Sequence, residues 1–300
     1  MKICFSCMNK NYFLGLLDLV NQEVKFIPNT NGKNPFRPFG ITWDDDQFYV
    51  AQANSVVDLN CNVLIPGLWN GLHQALSHDG FLYLISPNIS CLKRISLITK
   101  KIDYLHLDSF KFYDAVPEAC KSYDKNKFSY DLHHFNSIFI QGNKAFISAH
   151  NHDDPSFVLE FDYPNFNLIK KHDKMGSKIH NVFVENDEIY TIDSCGSRCI
   201  ASNKNKQYRI TSENNMFCRG LAVSRDYFIT SYFPEATRRD REKGDAFVVM
   251  INRQTGTKEN EIKIKDIGSI SDIRLIDEYD YAHCKGPYND LTSLIELAVI

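Results

Sequence analysis

The chain has 300 residues, 43% of them hydrophobic and 13% aromatic, with 10 prolines, a composition suited to many short strands in one domain, 1–300. Lys and Arg number 34 against 37 Asp and Glu, a formal charge of -3, so no overall field draws the protein to nucleic acid or to an anionic membrane. No apolar run is long enough to span a bilayer, and nine cysteines without regular spacing fit reduced thiols in a cytoplasmic setting better than a disulfide framework.

From the N-terminus, Ile3 to Cys7, Tyr12 to Leu17 and Glu23 to Ile27 read as three strands that come before the first complete hairpin and have no hairpin partner of their own. Asn9-Lys10-Asn11 and Asp18 interrupt the apolar run that follows Lys2, which argues against a secretory signal. Cys4 and Cys7 stand three apart on a strand and face opposite sides. A recurrent unit then begins: a polar step, an apolar run, a tight polar turn and a second apolar run. It occurs at Gly40 to Val50, His73 to Leu84, Asn136 to Ser148, Lys178 to Ser194, Arg219 to Thr230 and, more faintly, Asp272 to Tyr281. Each is an antiparallel hairpin.

Most copies lie about a propeller blade apart, roughly 40 to 50 residues. Further strands follow several hairpins, as in Phe157 to Asp162 with Asn167 to Lys171, and Ala246 to Asn252 with Glu261 to Ile264. The expected fold is an all-β, six-bladed β-propeller in which the N-terminal strands complete the last blade and remove its exposed edge. Five and seven blades are the alternatives. Residues 107–132 break the repeat and mix Tyr and Phe with charges, so an insertion, acting as a lid or collar, is expected there.

In such a ring the starts of the inner strands converge on one end of the axis. Here they carry Phe39-Gly40, Leu72-His73, Asn136-Ser137, His180-Asn181, Arg219-Gly220 and Ser271-Asp272, with His133 and His134 just upstream of the third. At least three of His73, Asn136, His180, Arg219 and Asp272 are expected to share a pocket. Loops on the same face add His150, His152, Asp153 and Asp154 in blade three and the charged run from Pro234 to Asp245, with Arg238, in blade five. His180 and His73 are candidate bases or ligands and Arg219 a clamp for an anion. Asn136, His134 and Arg238 are candidate substrate-binding groups, and His150 and His152 candidate metal ligands. The pair Cys195/Cys199 lacks the two further thiols of a zinc site. No phosphate loop, dinucleotide fingerprint, His-Glu-x-x-His helix or nucleophile elbow is present.

The hairpins, above all His180-Asn-Val-Phe-Val-Glu-Asn-Asp-Glu-Ile-Tyr-Thr-Ile-Asp193, resemble those of six-bladed propellers of the gluconolactonase-like (SMP-30) and NHL-repeat type over most of the chain. The resemblance implies an axial divalent cation held by Glu, Asn and Asp at strand starts. Asn136, Asn181 and Asp272 stand in comparable places, and Phe39-Gly40 where the Glu is expected. The cofactor expected is accordingly a divalent metal (Ca, Zn or Fe, the histidines favouring the last two), with metal-free acid/base chemistry as the alternative. An enzyme acting on a small polar or anionic molecule by hydrolase, lyase or isomerase chemistry is the first functional expectation, and a platform binding a protein or peptide is the second.

Overall fold

The computed structural model describes residues 1–29, 37–68, 71–113, 131–237 and 240–298. Six antiparallel sheets, each made of strands consecutive in the ring, form six blades. The first strands of neighbouring blades pack side by side around the axis; they are Ile41–Asp44, Ala75–His78, Phe135–Gln141, His180–Glu185, Met216–Val223 and Ile270–Leu275. We call the end where they start the roof and the other end the floor. The hairpin that begins at His180 turns through Asn186 and Asp187, both at positive φ, the backbone that a two-residue turn between twisted strands requires.

Blade six is closed as expected. Lys2–Cys7 pairs with Ile270–Leu275 on one side and with Tyr12–Asp18 on the other, and Glu23–Pro28 lies outermost. Two details differ from the sequence reading. Asp272 to Tyr281 is not a hairpin: its second half leaves the sheet after Leu275, because the N-terminal strand already occupies the neighbouring position. The stretch 107–132 is not irregular from its start, since Lys111–Tyr113 adds a fifth strand to blade two; residues 114–130 lie outside the described residues.

The core is divided among the blade junctions. One cluster joins blades one and two through Tyr49, Ile65, Leu72 and Leu84, another blades two and three through Tyr83, Ile138 and Phe161. Phe5, Ile229 and Ile273 join blades five and six, while Phe13, Trp43 and Phe48 join blades six and one. Cys4 and Cys7 enter different clusters, as opposite faces of one strand must. Gly40 stands where blade backbones meet: a Cβ there would lie 2.3 Å from the amide nitrogen of Ala75.

After Leu275 the chain crosses the floor. Tyr281 N–H donates to the Val223 carbonyl, Lys285 reaches Ser77, and Tyr288 packs between Trp43 and Phe48. The closing helix, Leu291–Leu297, is capped by Asp290 and buries Leu294 in the cluster between blades six and one. The floor is thereby covered at the axis, which leaves the roof as the open end.

Candidate functional site

Four of the inner strands carry a β-bulge near the throat, that of blade six at Ser271. In the pairing of blades three, four and five the ladder skips Asn136, Asn181 and Gly220 respectively, and Asn181 and Gly220 have positive φ. A bulge re-aims the residues around it. Here it places His180, Asn181, Asn136 and Arg219 around one throat, together with His73, Gln74 and Asp272. The space left among them is ≈ 10 Å³, room for about one water molecule.

Much of this polarity joins blades. Thr42 accepts from Ser77 N–H (3.1 Å) and Gln74 from Ile138 N–H (2.6 Å). Asn136 donates to the Ile179 carbonyl (2.7 Å), Asn181 accepts from Gly220 N–H (3.1 Å), and Asp272 accepts from Ile41 N–H (3.0 Å). Between blades five and six Asp280 of the floor segment serves, accepting from Val223 and Leu275 N–H at 3.1 Å each. Each junction of the ring thus has a side chain bonded to a backbone group of the neighbouring inner strand. This satisfies amides and carbonyls that strand pairing leaves free near the axis.

Beneath the throat lies a fully buried charge network that the sequence reading missed. The Arg274 guanidinium donates to Asp272 (2.7 Å), to the carbonyls of Ile41 (2.6 Å) and Ala75 (3.0 Å), and to the imidazole of His283. His283 in turn donates from Nδ1 to Asp280 (2.8 Å). Arg274 alternates with Asp272 in an apolar strand, so the two share a face; that i, i+2 spacing was the available signal. Burial pushes the Asp272 carboxyl up and the Arg274 guanidinium down, while their mutual attraction opposes both shifts.

Histidines occupy the roof around and above the throat. Ring centres are 5.0 Å apart for His73 and His134, 5.2 Å for His134 and His150, 5.7 Å for His134 and His152, and 5.4 Å for His150 and His180. Asp131, also missed from sequence, accepts from His134 Nδ1 at 2.6 Å and so orients that ring as a carboxylate orients a catalytic imidazole. Burial holds His73 and His180 well below the ordinary histidine range, and burial with the neighbouring imidazoles takes His150 down to about 2. All three are neutral at physiological pH. Arg219 is lowered to about 10, chiefly by burial and then by Arg241, and so keeps its charge. No side-chain partner of its guanidinium occurs among the described residues.

His152 is exposed and bonds the Asp131 carbonyl. Asp153 and Asp154 point to solvent. Arg238 lies outside the described residues. Among the described residues no three His, Cys, Asp or Glu side chains stand close enough to hold one ion. The oxygens that the resemblance would turn towards a cation, those of Asn136, Asn181 and Asp272, are engaged by the bonds above and, for Asn136, by Ser148. That ligand set does not fit an axial cation as the side chains stand.

Neutral histidines, His180 and His283 buried and His73 and His150 half-buried, set a pH dependence with a definite sign. An unfolded histidine takes up a proton near pH 6.5, whereas His73, His150, His180 and the likewise depressed His283 do so only at lower pH in the folded chain. Below 6.5 the unfolded state therefore binds more protons, and stability falls as pH falls, by on the order of 1 kcal/mol per pH unit for each such group. Asp272, whose carboxyl is raised, acts in the opposite sense. Urea denaturation at pH 7.5 and 5.5 should show a clear loss at the lower pH; equal midpoints would contradict the neutral state of these rings.

The chain matches no protein-family model and no curated protein. Among solved structures it is similar to a chain of the nidogen/laminin complex (TM-score 0.64, 7% identity, covering 91% of this chain and 98% of that one). It is also similar to a chain of the mitotic checkpoint complex (TM-score 0.54, 10% identity, 91% and 77%) and to the computationally designed Ika8 protein (TM-score 0.51, 8% identity, 92% of each). At these identities the likeness is one of fold. No helix among the described residues is long and apolar enough to cross a membrane.

Proposed function

We propose that the roof of the axis is the site of an enzyme acting on a small polar or anionic molecule, by hydrolysis, elimination or isomerisation. The observation that carries this reading is Arg219, a charged guanidinium unpaired among the described residues and set against neutral imidazoles. Arg219 would hold the anion or a developing oxyanion in a site of low dielectric. His134, oriented by Asp131, would move the proton. His73 and His180 would line the position next to the clamp, and Asn136 would support it through the blade junction. The free cysteines among the described residues support a cytoplasmic setting.

The test is to follow the histidine ring resonances of the full chain while a panel of small anionic metabolites is added. A ligand of this site should shift His73 and His180 and be consumed. Arg219→Gln should then abolish binding, and His134→Gln should leave binding but lower turnover by about 100-fold or more. A ligand that binds Arg219→Gln as tightly as the parent would remove the basis for the reading. Metal analysis adds a separate arm: a calcium, zinc or iron ion at one per chain, lost in His180→Ala, would make the reaction metal-assisted, and turnover in chelator-treated, metal-free protein would make it acid/base chemistry.

A second reading, a platform for a protein partner, is favoured by Tyr279 and Tyr281. This exposed pair, 4.9 Å between ring centres, lies on the segment that crosses the floor, and two propellers of similar fold were solved within protein complexes. Aromatic residues of this kind anchor interfaces.

A further inference from the structure

The partners of the roof histidines fix which nitrogen of each ring donates and which accepts. A carbonyl oxygen can only accept, so the contacts of His73 Nδ1 with Gly71 O (3.1 Å) and of His180 Nδ1 with Lys178 O (3.0 Å) place a proton on each Nδ1, and the Ser194 hydroxyl, also 3.0 Å from His180 Nδ1, shares that proton as a second acceptor. Both rings being neutral, each Nε2 carries a bare lone pair. Both line the throat, and neither Nε2 has a protein partner among the described residues. His150 is the reverse: its Nδ1 accepts the backbone N–H of His152 (3.1 Å), so its proton sits on Nε2. Among the described residues the roof therefore offers the unpaired charge of Arg219, one N–H on His150, and lone pairs on the Nε2 of His73 and His180, with the ring of His134, its Nδ1 held by Asp131, beside them.

Complementarity then constrains the ligand. Arg219 calls for an anionic oxygen, and the lone pairs of His73 and His180 call for hydrogen-bond donors beside it. A ligand whose whole surface accepts, such as sulfate or a plain carboxylate, would set oxygen lone pairs against nitrogen lone pairs in a throat with room for about one water molecule. Buried groups left unmatched in this way are the strongest source of discrimination between similar ligands. With Arg219 the unpaired cation of the throat among the described residues, and with Asp272 neutralised by Arg274, the site suits one negative charge. The throat of ≈ 10 Å³ admits little more than one oxygen-sized tip, with the remainder of the ligand held on the roof among His134, His150 and His152.

We infer that the roof site takes a small monocarboxylate carrying a hydroxyl or amino group within one or two bonds of its acid carbon. This deepens the reading given under Proposed function and rests on it. The carboxylate pairs with Arg219, and the O–H or N–H of the neighbouring group is received by the Nε2 of His73 or His180.

The experiment titrates the full chain with lactate, alanine, propionate and inorganic sulfate, reading the histidine ring resonances at pH 7.5. Lactate or alanine should bind at least 10-fold more tightly than propionate or sulfate. The preference should shrink in His73→Phe or His180→Phe, two variants used so that one that fails to fold does not decide the matter; Arg219→Gln should weaken lactate, alanine and propionate alike. Equal binding of propionate and lactate in the parent, or a preference that survives in both Phe variants, would overturn the donor rule and leave the anion site standing. If none of the four binds, or if binding ignores Arg219→Gln, the anion site itself fails, and this inference fails with it.

Discussion

A chain lacking residues 1–28 should not fold cooperatively. The deletion removes Lys2–Cys7, Tyr12–Asp18 and Glu23–Pro28, leaving Ile270–Leu275 as a single exposed strand between blades five and one. Ile3, Phe5, Phe13, Leu14, Leu17 and Ile27 are all buried in the two clusters that flank blade six. At about 1.5 to 3 kcal/mol for each such side chain, their loss amounts to roughly 10 kcal/mol or more, the scale of the whole stability of an ordinary domain. Circular dichroism of the truncated chain should show no sigmoidal melt. A melting curve that overlays the parent's would mean that the ring does not depend on closure through blade six.

Arg274→Met should be the most damaging single change at the axis. The guanidinium is fully buried and joins Asp272, His283 and the carbonyls of Ile41 and Ala75, so its removal leaves a buried carboxylate with only backbone N–H donors and no counter-charge, and takes the same donor from two carbonyls. Breaking a buried pair on one side typically costs about 3 to 5 kcal/mol, whereas replacing both partners by apolar groups can be nearly neutral. In urea the single variant should lose that amount, and Asp272→Leu in the Arg274→Met background should recover part of it. A loss under about 1 kcal/mol in the single variant would mean that the carboxylate finds another partner or is protonated in the fold.

The blades were legible in the sequence because each inner hairpin repeats one pattern, from Ile41 to the Arg219 copy, and because three N-terminal strands lacked partners. The sixth hairpin was misread since Glu278 to Tyr281 has turn-like polarity, and nothing local reveals that a strand more than 250 residues upstream takes its place. The polar residues at the strand starts were likewise visible and do share one throat. The bonds they make were not, because the partners of Asn136, Asn181 and Asp272 are backbone groups of other blades, and a backbone amide leaves no trace in residue identity. Asp131 was hidden in the irregular stretch that precedes the third blade. His283 follows the last strand and belongs to no periodic pattern.

Blade six has a consequence for the way the protein is made. Lys2 and Asp277, 275 positions apart, are hydrogen-bonded neighbours, and the latch between blades five and six comes from Asp280, beyond the final strand. A ribosome releases the N-terminal strands long before either partner exists. The edge of Lys2–Cys7 that faces Ile270–Leu275 must wait unpaired while more than 250 residues are made, the condition under which nascent chains associate wrongly. The ring can lock only once Ile270–Leu275 and Asp280 have emerged, so the arrival of that late segment, more than the forming of any one blade, becomes the step that commits the chain to its fold.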